Sequence, residues 1–366
     1  MLLLCFTRYG TVVMNNYELI KTEKIDNVQI KIDTSFLDLK SSSDVYFIKI
    51  LNGKIHVIDK LYGTIKVFNK NGKYLDTYLG KKMYPYLNEI FSLSYYNNSY
   101  YLVDNYLIYK FNSNFILQDS SNIKFKPNIL SFDTENPNPN QVMFYQLNFE
   151  AMNNYVGLDD KLIIPVEMEL PKLNAYNTNA YYKKAFNFAL LDTNSFKVKK
   201  LFSNWSNPYQ HGKNYPFLTS ASYSINKGLI FKNYEADTLI YVMDESLTPK
   251  FKFGVCPKNM NRDYRPTKRL AEAFDATALE KYQKEFGYFK SIIAIDSYTF
   301  RLYSTGNLGK NNRFNGLQIY HNYQLVAEKQ FNDELEIIGY LKPFYYFLSK
   351  SKSSSSRVRL YKISIP

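Results

Sequence analysis

The chain has 366 residues, of which 45% are hydrophobic and 17% aromatic, and its formal net charge is +13. Its 35 tyrosines and 27 phenylalanines favour strands, and helix-forming stretches are scarce outside one segment, so an all-helical fold is excluded. The lysines are scattered through turns and form no stripe with aromatic residues, so we expect no nucleic-acid partner. Two cysteines are too few for a disulfide framework or a cysteine-based metal site.

Residues 1–16 are expected to form an N-terminal stub outside the folded domain. The apolar residues 1–4 directly before Cys5 are similar to the end of a lipoprotein signal peptide, which makes Cys5 a candidate for lipidation. The stub lacks a positively charged start and a full apolar segment of about 7–15 residues. An ordinary N-terminus and a start codon assigned too far downstream therefore stay open as alternatives. No other stretch approaches the ~20 apolar residues that span a bilayer, so only a lipid anchor would attach the protein to a membrane.

Residues 44–80 form the clearest structural unit of the sequence. Asn52-Gly53 and Asn71-Gly72 are typical of tight hairpin turns, because such turns need residues that tolerate a positive φ. Tyr62-Gly63 marks a third turn between them. The segments that these turns separate alternate between apolar and polar residues, as half-buried strands do. Four consecutive strands are therefore predicted, at 45–50, 54–59, 64–69 and 73–80.

The same pattern returns with a period of about 45 residues, which is typical of four-stranded propeller blades. Asp59 and Asp104 end corresponding strands of the first two copies. Looser copies follow, the third with an insertion between its strands and the sixth one strand short. The sequence predicts an all-β fold, a single β-propeller of about six four-stranded blades over residues 17–366. An early segment, 17–21 or 28–32, would supply the missing strand and close the ring.

One segment, residues 267–286, breaks the strand pattern. Leu270, Phe274 and Ala278 recur on one face at helical spacing. Pro266 stands where a helix can begin, and Gly287 where one can end. We expect a short helical insertion before the fifth blade. The serine-rich run 351–356 is expected to be a flexible hairpin tip.

The unit from Asn52-Gly53 to Lys73 resembles the blades of NHL-like six-bladed propellers. In more detail, the chain is similar to secreted bacterial six-bladed propeller lipoproteins of unknown function, from about residue 40 onward. The stretch 288–303 carries this similarity in the C-terminal half. The resemblance implies a cell-envelope location, periplasmic or on the outer membrane, or secretion. It also implies a ligand on a propeller face, and it supplies no catalytic residue.

Arg301 is the charged side chain that we select first as a ligand-binding candidate. It lies in the otherwise apolar strand 299–303, which also holds Tyr303. A strand arginine faces water on the outer surface or points into the central channel, where it would bind a carboxylate or phosphate. Arg265 and Arg269, beside the helical segment, would join it there. The alternative is three unconnected surface arginines.

The loop 205–212 is a second candidate, because it combines Trp205, the only tryptophan, with Asn207 and His211. An aromatic loop with such polar groups suits the capture of a carbohydrate or peptide. The alternative is a loop that Trp205 anchors to the fold. His56, inside a strand, is expected to be a structural residue.

No cluster of His, Cys and Asp has the spacing of metal ligands, and no phosphate-binding loop or nucleophile elbow occurs. We therefore expect no metal and no cofactor. Glu167 and Glu169 form a pair of carboxylates along one strand face, which is typical of a solvated surface.

Two classes of function stay open. The first is a non-catalytic, monomeric binding or scaffold module of the cell envelope that presents a propeller face to a glycan, peptide or protein. The second is a hydrolase or lyase that acts on a carbohydrate through channel residues, which requires titratable groups converging in a pocket. An intracellular NHL-like binder of RNA or protein is a third possibility and would need one strongly basic face.

Overall fold

The structure is a computed structural model, and it describes residues 17–25, 28–39, 42–80, 84, 87, 89–125, 137–149, 151, 155–176, 179–211, 215–266, 275–307, 314–350 and 357–365. The strands form six sheets of four or five strands each, almost all antiparallel. The inner strands of each sheet contact those of the next, and the sixth sheet contacts the first, so that the sheets form a closed ring. The predicted six-bladed β-propeller is therefore confirmed. Cys5 and the rest of the stub lie outside the described residues.

Blades 1 and 2 have the simple form that the sequence predicts. Two short strands precede them, β1 (Glu18–Leu19) and β2 (Lys31–Asp38). Blade 1 runs from its innermost to its outermost strand as β3 (Tyr46–Leu51), β4 (Lys54–Asp59), β5 (Thr64–Phe68) and β6 (Tyr74–Leu79). Blade 2 follows as β7 (Ile90–Tyr96), β8 (Ser99–Asp104), β9 (Leu107–Asn112) and β10 (Leu117–Asn122).

Blade 3 carries the predicted insertion, and blade 4 does not. In blade 3 two short strands, β11 (Gln146–Leu147) and β12 (Val156–Leu158), both pair with the inner edge of β13 (Lys161–Glu167). Helix α1 (Asn179–Lys184) follows, and then β14 (Phe186–Asp192) and β15 (Val198–Asn204). Blade 4 consists of β16 (Ala221–Asn226), β17 (Leu229–Tyr234), β18 (Ile240–Asp244) and β19 (Pro249–Phe253). Short 3-10 helices occur at Val142–Phe144, Asn207–Gln210 and Pro216–Leu218.

The expected helix before blade 5 is present as α2 (Ala276–Glu285), and the carboxylate of Asp275 caps it by accepting from the Thr277 N–H. Residues 267–274, including Leu270, Phe274 and Arg269, lie outside the described residues. The helix ends one residue earlier than predicted, because Phe286 begins a strand. Blade 5 consists of β20 (Phe286–Ile295), β21 (Tyr298–Gly306), β22 (Asn315–His321) and β23 (Gln324–Phe331).

Blade 6 joins the two ends of the chain. Its own strands are β24 (Leu335–Leu341), β25 (Phe344–Ser349) and β26 (Arg357–Ser364), and β2 completes it as the outermost strand. The pairing is antiparallel over eight residues, from Lys31 opposite Ser364 to Asp38 opposite Arg357. An early segment therefore closes the ring as predicted, although the strand begins later than the segment 28–32.

Residues 17–25, here called the N-terminal strap, run along the outer edges of blades 4 and 5. Strand β1 lies parallel to β19, with Glu18 opposite Phe251 and Leu19 opposite Lys252. The Ile25 N–H donates to the Leu325 carbonyl of blade 5 at 2.8 Å. The segment 17–21 is thus an added edge strand of blade 4 and not the strand that closes the ring.

The two Asn-Gly turns differ from each other. Asn52 and Gly53 have φ values of 47° and 68°, as the predicted tight turn requires. The second turn is wider, because the side-chain oxygen of Asn69 accepts from the N–H groups of Asn71 and Lys73 at 2.9 and 3.0 Å. β5 and β6 still form a hairpin, but the asparagine that bonds its own backbone gives it a longer turn than the tight one that the sequence predicts.

Turns between the second and third strands of each blade, and all connections between blades, lie on one face of the ring because the strands alternate in direction. We call this the insertion face, since α1 and α2 both lie there. Asp59 accepts from the Tyr62 N–H at 2.9 Å and from the Ser43 hydroxyl at 2.7 Å. Asp104 accepts from the Glu89 N–H at 3.3 Å, and Glu89 lies in the connection that leads into the same blade. The repeated aspartates therefore fix the turns and connections of this face.

Candidate functional site

Arg301 lies in the interface between blades 4 and 5. It is 0% exposed, and its Nε and Nη1 donate to the Asn233 side-chain oxygen and the Thr238 carbonyl, each at 2.6 Å. Its guanidinium carbon is 3.3 Å from the centroid of the Phe289 ring. Neither position offered by the sequence analysis, the outer face or the channel, is correct. The reason is that the polar loop 235–239 of blade 4 satisfies the charge inside the interface.

Tyr303, on the same strand, is also buried, and its hydroxyl donates to Glu328 at 2.9 Å. Arg265 is largely exposed and pairs with Glu285 at 2.5 Å. No described contact joins Arg265 to Arg301, and Arg269 lies outside the described residues. The structure thus gives Arg301 and Tyr303 contacts within the fold, and a ligand-binding role for these residues stays a prediction.

Trp205 is 2% exposed and packs among the rings of Tyr182, Tyr209 and Tyr234. The Tyr209 hydroxyl donates to the Leu218 carbonyl at 2.6 Å and so fastens the loop to the short helix Pro216–Leu218. His211 follows the short helix Asn207–Gln210 and is exposed. The structure places Trp205 in the core and leaves His211 exposed, which agrees with the alternative of a loop anchored by Trp205.

A groove of about 510 Å³ opens on the insertion face between blades 2 and 3. Its walls come from the turn after β8, the chain after β10, the segment around β11 and the chain after β13. Most lining side chains are apolar, and the lining residues are Tyr106, Ile123, Lys124, Phe125, Met143, Phe144, Tyr145, Gln146, Glu169 and Leu170. A concave, mainly apolar surface with a few polar groups is typical of a small-molecule site.

One wall of the groove carries hydrogen-bonding side chains. The Gln146 amide donates to Glu167 at 3.4 Å and to Glu169 at 3.1 Å. The Tyr176 hydroxyl donates to the other oxygen of Glu169 at 3.3 Å. Because β11 pairs with the end of β13, Gln146 lies directly opposite Glu167. The strand pairing therefore fixes an amide between two carboxylates.

Aromatic rings line the approach to the groove. Tyr106, in the turn after β8, is 38% exposed and packs edge-on against Phe149, with ring centroids 5.5 Å apart. Phe149 contacts Phe91, with centroids 5.2 Å apart, and the Lys60 amine lies 5.3 Å from the Phe91 centroid. Burial, followed by the negative charges of Glu167 and Glu169, raises the pKa of Tyr106. Its hydroxyl therefore stays protonated at neutral pH as a hydrogen-bond donor.

Glu167 and Glu169 are predicted from the sequence to lie on a solvated surface, and no sequence pattern predicts Tyr106 or Gln146 as site residues. Glu169 is exposed and Glu167 is half-buried. The sequence does contain one signal for the exposed ring of Tyr106. A turn between two strands normally holds small polar residues, and a tyrosine in the turn Asn105-Tyr106 is therefore unusual. Nothing in the sequence indicates that β11 would bring Gln146 to the two carboxylates.

Within the described ranges, no three His, Cys, Asp or Glu side chains gather as possible metal ligands. No helix in the described part of the chain is both long and apolar enough to cross a bilayer.

No family model and no curated protein matches the chain in sequence. Two solved structures resemble it over almost their whole length. A member of the DUF4221 family from Bacteroides vulgatus has 12% identity and a TM-score of 0.67, covering 93% of this chain and 99% of its own. A protein from Bacteroides fragilis, named as a candidate exported protein, has 13% identity and a TM-score of 0.54, covering 95% and 99%. These neighbours agree with the resemblance to an uncharacterised family of secreted bacterial propellers, and at such identities they show the fold.

Proposed function

We propose that this protein is a non-catalytic, monomeric binding module of the bacterial cell envelope, and that it binds a glycan in the groove between blades 2 and 3. The observation that carries the proposal is the groove itself, a concave surface with an aromatic approach and a wall of hydrogen-bonding side chains. The envelope location is supported by the export named for the Bacteroides fragilis neighbour.

The chemistry of the groove favours a neutral sugar over an anionic ligand. Carboxylate and amide oxygens accept hydrogen bonds from neighbouring sugar hydroxyls, and Gln146 and Glu169 bring such oxygens to the groove, with Glu167 bonded to Gln146 beside them. An exposed ring such as Tyr106 provides a flat apolar surface for the C–H face of a sugar. The two glutamates would repel an anionic ligand, since they place negative charge at one wall.

The test is a binding screen of the purified chain against neutral glycans, anionic glycans and peptides, followed by calorimetry on the hits. Tyr106→Ala and Gln146→Ala should each weaken binding of a neutral glycan by about tenfold or more, because each removes roughly 1.4 kcal/mol of contact energy. Binding of peptides alone, or of anionic glycans alone, would overturn the proposed ligand class.

Tyr62→Ala is the matched control. Tyr62 occupies the corresponding turn of blade 1 on the same face and is 57% exposed. It is not among the residues that line the groove. The control variant should bind with unchanged affinity. An equal loss in Tyr62→Ala and Tyr106→Ala would contradict the assignment of the groove.

A carbohydrate hydrolase or lyase is the second candidate, because Glu169 lines the same groove and Glu167 accepts from the same Gln146 amide beside it. General acid–base catalysis would depend on these carboxylates. Glu169→Gln keeps a hydrogen-bonding side chain of similar shape. If the protein only binds glycans, no product should form with either form of the chain. Product formed by the wild type and lost in Glu169→Gln would replace the binding module with the enzyme.

A further inference from the structure

Lys232, on β17, has an amine that is buried without an acidic partner. The residue is 1% exposed. Its Nζ donates to the hydroxyls of Tyr17 and Ser203, at 3.0 Å each. The ring centroids of Tyr17, Tyr234 and Tyr241 lie 5.3, 6.0 and 6.0 Å from Nζ. Hydroxyls and ring faces compensate a buried ammonium only in part, because water or a carboxylate would stabilise its charge more strongly.

The other charged groups around this cage do not neutralise Lys232. Asp237, in the loop after β17, accepts a hydrogen bond from the Tyr241 hydroxyl at 2.7 Å. Lys252, on β19, lies with its amine 5.9 Å from the centroid of the Tyr241 ring and adds a second positive charge. Burial alone accounts for the lowered pKa of Lys232, with no contribution from an acid.

The wall of the cage that Tyr17 provides is the one most easily removed. Tyr234 and Tyr241 belong to β17 and β18, the two middle strands of blade 4, and Ser203 belongs to β15 of blade 3. Tyr17 instead belongs to the N-terminal strap, which pairs over only two residues with the outer edge of blade 4. Beyond this pairing the strap is held by single hydrogen bonds to the outer edges of two blades. Among them, the Ile20 N–H donates to the Lys252 carbonyl at 2.9 Å, the Gly254 N–H to the Thr22 hydroxyl at 2.9 Å and the Leu325 N–H to the Glu23 carbonyl at 3.0 Å. Short edge elements with few buried contacts open at low free-energy cost.

We propose that the N-terminal strap is a releasable latch on blade 4, which opens when Lys232 binds a proton and closes when its amine is neutral. Release of the strap removes Tyr17 from the cage and admits water to the ammonium. The latch does not depend on the proposed glycan site, which lies between blades 2 and 3 and shares no residue with the cage.

The direction of the pH effect follows from proton linkage. Burial lowers the pKa of Lys232 in the docked form from 10.5 to about 7, whereas water restores an ordinary pKa in the released form. Between these values the released form binds more protons, so docking becomes stronger as the pH rises. Below pH 7 both forms are protonated, and the dependence levels off.

Hydrogen–deuterium exchange of the full chain between pH 6 and pH 9.5 tests the latch, after correction for the intrinsic rate of exchange. The reporters are the amides of Ile20 and Ile25, which bond to blades 4 and 5. Their opening constant should fall by up to about tenfold per pH unit above pH 7, the limit for one proton. Amides of the buried strand β8 report global unfolding, which also exposes Lys232 to water. They should exchange much more slowly than the strap amides at every pH, which distinguishes opening of the strap from unfolding of the ring.

Lys232→Met removes the titrating amine and keeps an unbranched side chain, so its strap should show no pH dependence over this range. Lys66→Met is the control. Lys66 is another buried lysine, in blade 1, whose amine bonds to Ser42 at 2.9 Å, and its loss should leave the pH dependence of the strap intact. Tyr17→Phe removes one acceptor and should increase strap opening severalfold at pH 7 and less at pH 9.5. A pH dependence that persists in Lys232→Met, or strap opening in Tyr17→Phe that is equal at both pH values, would overturn the latch.

Discussion

The guanidinium carbon of Arg301 lies 3.3 Å from the centroid of the Phe289 ring, and both residues belong to blade 5. The three nitrogens of the same guanidinium donate to three acceptors of blade 4, the side-chain oxygen of Asn233 and the carbonyls of Thr238 and Asp237. The Phe289 ring thus covers the guanidinium inside blade 5, while the hydrogen bonds of the guanidinium cross to blade 4. Burial lowers the pKa of Arg301 to about 10, so it stays charged at neutral pH. Arg301 therefore joins two blades of a ring in which each blade depends on its neighbours.

Arg301→Lys should destabilise the protein by about 3 kcal/mol, because an ammonium cannot bond simultaneously to the three acceptors that the planar guanidinium reaches. Chemical denaturation at pH 7 measures the free energy of unfolding. Arg265→Lys is the control, since this side chain is 73% exposed and its ion pair is at the surface. The control should change stability by less than about 0.5 kcal/mol. Equal effects of the two substitutions would contradict the role of Arg301 as an inter-blade contact.

His56 should make stability depend on pH in the acid range. Its imidazole is 0% exposed and lies 3.0 Å from the Tyr100 hydroxyl, and burial lowers its pKa to about 4. The unfolded chain binds a proton near pH 6.5, so stability is full above that value and falls as the pH drops towards 4. The total loss should be about 3 kcal/mol, from 1.36 kcal/mol per pKa unit.

Denaturation curves at pH 7, 5.5 and 4 test this prediction by comparing the wild type with His56→Gln. The difference in the free energy of unfolding between the two proteins should shrink as the pH falls. His211→Gln serves as the control because His211 is exposed, and its difference from the wild type should stay constant. A constant difference for His56→Gln as well would show that this histidine does not titrate in the folded protein.

The fold could be predicted from the sequence because its signals are local. Turn residues such as Asn52-Gly53 and a repeated period fix where each strand begins and ends. Ring closure was predictable too, since one blade lacked a strand. Its register was not, because the pairing of Lys31 with Ser364 joins residues from opposite ends of the chain. Local propensity carries no information about such a pairing.

The candidate site was much less predictable. Arg301 and Trp205 were selected because they are unusual in their strand and loop, yet both are buried among partners that come from distant parts of the chain. An unusual residue in a sequence indicates a special environment and does not reveal whether that environment faces a ligand. The groove depends on Tyr106 and Gln146, which line the same surface only because blades 2 and 3 are neighbours in the ring.

The repeated aspartates should contribute to stability through their bonds on the insertion face. Asp59 is 0% exposed and accepts from the Tyr62 N–H and from Ser43. Asp59→Ala leaves these donors unpaired, so we expect a loss of about 2–3 kcal/mol in the free energy of unfolding. Asp76→Ala, at an exposed position of β6 in the same blade, should lose less than about 0.5 kcal/mol. Similar losses in urea titrations of both variants would argue against a structural role for the repeat.

Closure of the ring by β2 should contribute to the stability of the protein. Two leucines on the N-terminal strands, one buried and one exposed, test this contribution. Leu37, on β2, is 0% exposed and belongs to the hydrophobic cluster between blades 6 and 1, whereas Leu19, on β1, is 61% exposed. Leu37→Ala should lower the free energy of unfolding by about 3 kcal/mol through lost burial and a residual cavity. Leu19→Ala should lower it by less than about 0.5 kcal/mol. Because β2 holds the two chain ends together, Leu37→Ala should also speed amide exchange in β26 and in blade 1. If β26 exchanges at the wild-type rate in a destabilised Leu37→Ala variant, the pairing of β2 with β26 is not what closes the ring.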